Sequence, residues 1–254
     1  MKNININKNT ALFTLEQLVE QNINKKLTYM PDSFNTQQVQ ALELFKQRLF
    51  LEKTIDEAIS FNKNLVFPVE NKNLHLAKTA EDMIDIFKLR SDVYTSINYN
   101  EEFPDEIEGL NFDKYDSNSA VLYYKKNNII TGTIRLVFDS NNELPSEDKF
   151  SFDEQRQEYN VISELSRLII LHQTKGMSFE FKYLMQGLYY VFNNNDIDLL
   201  VLGIKEEHYK LYSKFGGVTI LDKLEGYGNI NFSALIVSWD LSKPSNFFKK
   251  AILR

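Results

Sequence analysis

The chain contains no cysteine. That excludes disulfides, thiolate metal sites and a cysteine acyl-enzyme, and it fits a reducing compartment. There is no surplus of positive charge either: the net charge is −6 at pH 7. No overall basic field draws the chain to nucleic acid or to an anionic membrane. No apolar run approaches the roughly 20 residues a membrane helix needs. The stretch from Met1 to Asn7 lacks the hydrophobic core of a signal peptide. The expectation is a soluble cytoplasmic protein without an integral membrane segment. The three histidines, His75, His172 and His208, are widely spaced and match no zinc pattern, so no metal is expected. No serine sits in a nucleophile elbow. A Ser-His-Asp hydrolase and a metalloenzyme are therefore poorly supported.

What is present is a globular composition, with 43% apolar and 13% aromatic residues. Residues 1–75 read as a helical extension. A short helix is expected from Thr14 to Lys26, and a longer one from a cap at Asn35 or Thr36 to about Ser60. Residues 65–70 read as an extended link, because Pro68 disfavours helix before it. Residues 76–254 alternate helices and strands. Thr79 and Asp82 form a capping-box pattern ahead of Met83, Ile86, Phe87, Arg90, Val93 and Tyr94. A hairpin is expected from Ala120 to Phe138, turning at Asn127–Asn128, since asparagine tolerates the positive φ of a tight turn. On its second strand, Ile130, Ile134, Leu136 and Phe138 share the core face, and Arg135 falls on the other. Met177 to Phe192 is the clearest amphipathic helix. Strands are expected over 199–204, 218–221 and 232–239, with a helix over 206–215 closed by Gly216–Gly217. The tail after Phe247 reads as amphipathic and packed on the body, and Trp239 as core.

The organising stretch runs from Asn160 to His172. Its apolar run predicts a buried strand, yet Glu164, Ser166 and Arg167 interrupt it. Buried charge is costly unless paired, so such a strand points to a site more than to stability. Strict alternation puts Glu164 and Ser166 on one face and Arg167 on the other; a β-bulge would re-aim one of them. The stretch His172 to Ser178, with a single Gly176, leads into the strong helix. A strand, a loop and a helix N-terminus make an anion site. One glycine is neither a P-loop nor a dinucleotide fingerprint, and taken alone Gln173-x-x-Gly176 is an ordinary strand-to-helix turn. Asp113 and Asp116, three apart, share one side of a helical turn. By composition alone they belong to a solvated turn with Asn111, Ser117 and Asn118, and Arg135 alone reads as a surface residue.

The order of elements, ending in Tyr212-x-x-Phe215-Gly216, resembles the GNAT acyltransferase fold: an α/β (α+β) domain with a mixed central sheet flanked by helices. More narrowly, the chain resembles the acyl-homoserine lactone synthases and the N-acyl amino acid synthases, closer to the latter. Arg90, Tyr94, Asp113-x-x-Asp116, Arg135 and Glu164-x-Ser166-Arg167 carry that resemblance, over roughly residues 80–240. Asn111 stands where lactone synthases usually have glutamate, and no tryptophan lies between Tyr94 and Asp113. His208 to Gly216 and Asn231 to Val237 are more like the N-acyl amino acid synthases, and with those departures they pull toward amino acid acylation. The resemblance implies a fatty acyl group moved from an acyl-phosphopantetheine donor, carrier protein or coenzyme A, to the amine of a small amino acid, with no permanently bound cofactor. It implies donor contacts at Leu168, Ile169, Ile170, Gln173, Lys175, Gly176 and Tyr212, and an acceptor pocket shaped by Arg90, Tyr94, Asp113, Asp116 and Arg135. Arg135 becomes a bidentate partner of a carboxylate. The alternatives are lactone synthesis from S-adenosylmethionine and a non-catalytic acyl-thioester sensor.

The chemistry of N-acylation agrees with these residue types. A free amine is largely protonated at neutral pH, so a base must take its proton. Glu164 among apolar residues is the candidate, directly or through a water. A backbone N–H near Ser166 to Leu168, or the Ser166 hydroxyl, would meet the oxyanion. Lys175, Lys182, Lys205, Lys210 and Lys214 cluster in sequence as a candidate docking patch for an acidic carrier protein, and are equally well read as solvated faces.

Overall fold

The structure is a computed structural model of the 254-residue chain and describes residues 36–68, 71–140, 143–171 and 177–254. The helix expected from Thr14 to Lys26 and the loop residues 172–176 lie outside the described residues. The chain divides into two compact units, residues 1–54 and 55–254. In the first, residues 36–54 are the start of helix α1 (Thr36–Asn64), which runs four residues past the expected Ser60. The second unit holds the sheet.

Its centre is a seven-stranded sheet. The strands are β1 (Leu74–Leu76), β2 (Ser119–Lys126), β3 (Ile129–Phe138), β4 (Ile162–Ile170), β5 (Leu199–Lys205), β6 (Val218–Leu224) and β7 (Ala234–Trp239). They lie in the order β1-β2-β3-β4-β5-β7-β6, and β4–β5 is the parallel pair in an otherwise antiparallel sheet. The β2–β3 hairpin turns at Asn127 (φ 51°) and Asn128 (φ 63°), the two successive positive-φ positions of a type I′ turn. Helix α2 (Ala80–Ser96) starts where Thr79 accepts a hydrogen bond from the Asp82 N–H at 3.2 Å. After α3 (Asp153–Glu158) comes α4 (Phe179–Asn194), capped by Ser178, which accepts from the Phe181 N–H at 3.1 Å. The helix expected over 206–215 is broken. One turn, α5 (Tyr209–Tyr212), stands between 3-10 turns at Glu206–His208 and Ser213–Phe215. No side chain caps that segment's start; its first N–H, from Glu206, donates to the Ser233 carbonyl at 3.0 Å. The tail forms α6 (Asn246–Ala251), with Phe248 and Ile252 buried.

Both faces of the sheet are covered. On one, Phe181, Leu184, Met185, Leu188 and Val191 of α4 pack on Leu122, Ile134, Leu136, Leu202 and Ile204, extended by Phe215, Trp239 and Phe248. On the other lie Val137, Ile162, Val201 and Ile236, with Leu144 and Phe152 from the β3–β4 connection. Past the end of β1, the edge of β2 is completed by a side chain. The Asn62 amide donates to the Ser119 carbonyl (3.0 Å) and accepts from the Val121 N–H (3.0 Å), as a strand residue would.

Two irregularities shape the functional region. First, β3 and β4 lose register: Arg135 pairs with Ser166 but Thr133 with Ile169, so β4 carries one extra residue. Arg167 sits in that bulge at φ +54°. A non-glycine residue held there costs on the order of 1 kcal/mol, a strain that concentrates at functional sites. The alternation that put Arg167 on the face away from Glu164 is overturned for this reason. Second, β4 and β5 pair through Ile162–Leu199, Ser163–Leu200 and Glu164–Val201, and pairing stops there although both strands continue. The strands part just beyond Glu164.

Asn62→Ala should leave the Ser119 carbonyl and Val121 N–H buried without partners and lower stability by about 2–4 kcal/mol. Urea denaturation monitored by tryptophan fluorescence measures it; a loss under 0.5 kcal/mol would contradict the assigned role.

Candidate active site

Where β4 bulges, three arginines meet two aspartates. Asp113 and Asp116 come from the turn before β2, a 3-10 helix at Lys114–Asn118 that they also cap: Tyr115 N–H donates to Asp113 and Asp113 N–H to Asp116. Arg135 Nη1 lies 2.6 Å from Asp113 Oδ1 and 3.1 Å from Asp116 Oδ2. Arg167 Nη2 meets the other Asp113 oxygen at 3.0 Å, and Arg90 Nη1 meets Asp116 Oδ1 at 2.8 Å. Arg90, Asp116 and Arg135 are at most 1% exposed. Burial opposes the charge on Asp113, but Arg135 and Arg167 outweigh it and hold the carboxyl well below its ordinary range. Burial draws the Arg90 guanidinium down; Arg135 is driven up because Asp113 and Asp116 outweigh its desolvation. The Arg167 guanidinium lies over two neighbouring rings, 4.4 Å from the Phe103 centroid and 5.2 Å from that of Tyr94.

Glu164 stands beside this cluster, 2% exposed. Burial pushes its carboxyl up to about 7, while the Ser146 N–H and hydroxyl, both donating to Oε2 at 2.9 Å, and the charge on Arg135 pull the other way. Three arginines against two aspartates leave one positive charge in surplus, and ionised Glu164 balances it. The Ser166 hydroxyl oxygen accepts from Arg135 Nε at 3.0 Å, which leaves its proton to donate elsewhere.

Glu164, Ser166 and Arg167 line a cavity of about 530 Å³ that opens between the parted strands. One wall is β4 from Glu164 to Ile170, the other β5 from Leu202 to Lys205 with Tyr212. Tyr94, Tyr99, Phe103, Tyr115, Tyr227 and Phe232 supply an aromatic roof. A single carboxylate ties that roof together: Glu102 accepts from the Asn229 N–H at 2.7 Å and pairs with Lys149 at 3.0 Å. Tyr227 lies so close over Gly203 that a Cβ there would come within 2.9 Å of its ring. Among the described residues no His, Asp or Glu cluster is arranged to hold a metal ion.

A family model for the N-acyl amino acid synthase FeeM matches residues 85–240, well over half of the chain. The chain belongs to the FeeM family of N-acyl amino acid synthases. It is thus an acyltransferase by family. Among solved structures, FeeM from uncultured soil microbes superposes with a TM-score of 0.54 at 17% identity, covering 71% of this chain and 93% of that one. The acyl-homoserine lactone synthase LasI gives 0.52 at 18% identity, covering 70% and 93%. The coenzyme A-dependent acyl-homoserine lactone synthase BjaI, solved with S-adenosylmethionine and isopentyl-coenzyme A, gives 0.52 at 15%, covering 68% and 81%. At such identities these matches speak for the fold, and the GNAT-like α+β architecture expected from the sequence is the one found. No curated protein sequence matches the chain.

Most residues expected for a synthase of this family come together. Tyr94, Asp113, Arg135, Glu164, Ser166, Arg167, Leu168, Ile169, Ile170 and Tyr212 all line the cavity. Arg90 and Asp116 do not line it; they stand behind its wall, fully buried. Arg135 is not a two-pronged partner of one carboxylate. It shares one nitrogen between two aspartates and gives Nε to Ser166. Gln173, Lys175 and Gly176 lie outside the described residues. Asn111 is buried and donates to the Phe103 and Pro104 carbonyls, fixing the loop that carries Phe103. Lys205 lines the cavity, while Lys210 and Lys214 are exposed. Sequence reading missed Ser146 and the Glu102–Lys149 pair, which sit in loops without periodicity; the aromatic content of 99–103 and 227–232 was the signal available for the roof.

Two stability measurements check this electrostatic arrangement. Asp116→Ala strands the Arg90 charge in the interior and should cost about 3–5 kcal/mol in urea denaturation. Glu164 binds a proton more tightly folded than unfolded, so wild-type stability should decline between about pH 4.5 and 7 relative to a neutral residue. Glu164→Gln should therefore match the wild type near pH 4.5 and exceed it above pH 7 by up to roughly 3 kcal/mol. An equal gap at both pH values would show that Glu164 is ordinarily acidic.

Proposed function

We propose that this acyltransferase moves a fatty acyl group from a phosphopantetheine thioester to the amine of an amino acid, with Glu164 as the base. The observation that carries this reading is the Glu164 carboxyl, buried, raised to about 7 and opening onto the cavity where β4 and β5 part. A base with that pKa is half ionised at neutral pH and takes a proton from an ammonium without the energetic mismatch of an ordinary carboxylate. The amine nitrogen then attacks the thioester carbonyl: the N–C bond forms and the C–S bond breaks. The developing oxyanion falls within the field of Arg135 and Arg167, and the Ser166 hydroxyl proton is free to meet it. Of the two protons the ammonium loses on becoming an amide, one neutralises the thiolate released and the other leaves through Glu164 to solvent, so the products are an amide, a thiol and a proton.

The parted strands favour this class of donor. Beyond Glu164, the side of β4 that faced β5 has no strand partner, so its backbone groups are open to an extended, amide-containing arm that adds as a strand does. Ile170 and Leu168 on one side and Leu202 and Ile204 on the other offer apolar walls. For a carrier-protein donor, exposed Lys210 and Lys214 after β5 are the cations available for docking. The acceptor is an amino acid rather than S-adenosylmethionine on this reading. Mass spectrometry of lipids from cells overexpressing the protein distinguishes an acylated amino acid from a lactone.

Glu164→Gln should lower turnover by roughly 100-fold or more and leave donor affinity intact. The wild-type rate should rise with pH through a single ionisation near 7, and the variant should lose that limb. Unchanged turnover in Glu164→Gln would remove Glu164 from the mechanism. If the donor is carrier-bound, its rate should fall steeply with salt, with Lys214→Glu raising KM for that donor and sparing the coenzyme A thioester. Equal sensitivity of both donors would favour coenzyme A.

A further inference from the structure

An amino acid acceptor brings a carboxylate as well as an amine, and nearly every cation in the cavity is already engaged. Arg135 is held by Asp113 and Asp116, and Arg167 by Asp113. Lys149 is held by Glu102 and Asp148. His208 lies 3.8 Å from Glu207 and is exposed. Among the described residues, Lys205 alone of the cavity cations has no carboxylate partner. Its ammonium instead sits 5.0 Å from the Phe232 ring and 5.7 Å from Tyr99, two rings stacked on each other. An ammonium over aromatic faces is positioned without being neutralised, and stays open to an anion.

Its place on the sheet fits an acceptor more than a donor. Leu200, Leu202 and Ile204 of β5 point into the core shared with α4. Alternation places Val201, Gly203 and Lys205 on the opposite face, and Val201 is the register partner of Glu164. Lys205 therefore stands on the face of Glu164, about 13 Å farther along the strand at the usual rise. A glutamate and a lysine side chain leaning toward each other, with one amino acid between them, span that gap. The N-terminus of α4, the anion site expected from the strand–loop–helix pattern, belongs to the helix layer on the other face.

We propose that Lys205 binds the free α-carboxylate of the acceptor, so that its amine is presented to Glu164 and substrates without that carboxylate are discriminated against. This inference rests on the reading of the cavity as an N-acylation site. Glu206 beside it does not compete, because its carboxylate is 2.9 Å from Lys223. Lys205 is thus withdrawn from any carrier-docking patch and assigned to substrate selection.

The test compares wild type, Lys205→Met, Lys205→Gln and Lys205→Arg, all checked for unchanged melting temperature. The probes are hexadecanoyl-coenzyme A and the hexadecanoyl carrier protein as donors. The acceptors are the twenty standard amino acids and their carboxamides, with products read by mass spectrometry. Wild type should prefer the amino acid over its carboxamide. Either neutral variant should raise KM for the acceptor roughly 10- to 100-fold with a smaller effect on kcat, and should lose the preference. Lys205→Arg should restore most of both. Unchanged acceptor KM and preference in the neutral variants would overturn the assignment while leaving acylation standing. A rise confined to donor KM would overturn it in favour of a phosphate contact. If wild type acylates no amine from either donor, the acylation reading fails, and this inference with it.

Discussion

The Asp113 carboxylate is the hinge of this molecule's chemistry. One oxygen takes Arg135 from β3 and the other takes Arg167 from the bulge of β4. A carboxylate shared by two guanidinium groups holds two strands' side chains in one orientation, and charge-assisted bonds are strong enough to sustain a left-handed residue in the middle of a strand. The bulge in turn brings Arg167 to the face of Glu164. Without the aspartate, two like charges on adjacent strands would repel, and the strained φ of Arg167 would lose its compensation.

That arrangement also explains why one carboxyl in the site is acidic and another is not. Asp113 has two arginines in direct contact and stays ionised. Glu164 is buried with a single serine as hydrogen-bond partner and feels the arginines only at a distance. Environments that push two carboxyls apart assign them different tasks: one is a fixed structural charge, the other is poised to move a proton. The stability given up by burying Glu164 is the cost of holding a base near neutrality, a common trade at functional sites. Asp116 and Arg90 extend the charge network inward, behind the cavity wall, where both are fully buried.

The cavity exists because a parallel strand pair fails to stay paired. Antiparallel neighbours hold β4 through β3 and β5 through β7, so the two can separate beyond Glu164 and Val201 without either losing its place in the sheet. The gap is roofed by loops that Glu102 fastens together from two distant parts of the chain. Lys205 lies at the far end of that gap, the cavity cation that no acid among the described residues claims.

The sequence by itself determined the periodic and the locally coded parts. The Asn127–Asn128 turn, the Thr79 cap, the buried strand around Leu165 and the α4 core face all follow from local conformational preference and apolar spacing. The charged interruption at Glu164, Ser166 and Arg167 marked the site because buried charge demands a reason. By composition Asp113 and Asp116 read as a solvated turn; they do cap a turn, but Asp116 is fully buried and both bind arginines. Only the tertiary structure decided which face Arg167 takes, because a bulge depends on the register of two strands whose partners Arg135 and Ser166 are 31 residues apart in sequence. It alone placed Ser146 against Glu164, set Arg90 behind the wall and, among the described residues, left Lys205 without an acid. Those outcomes depend on which charges are close in space, and Coulomb interactions and desolvation follow distance and burial, neither of which a linear pattern carries.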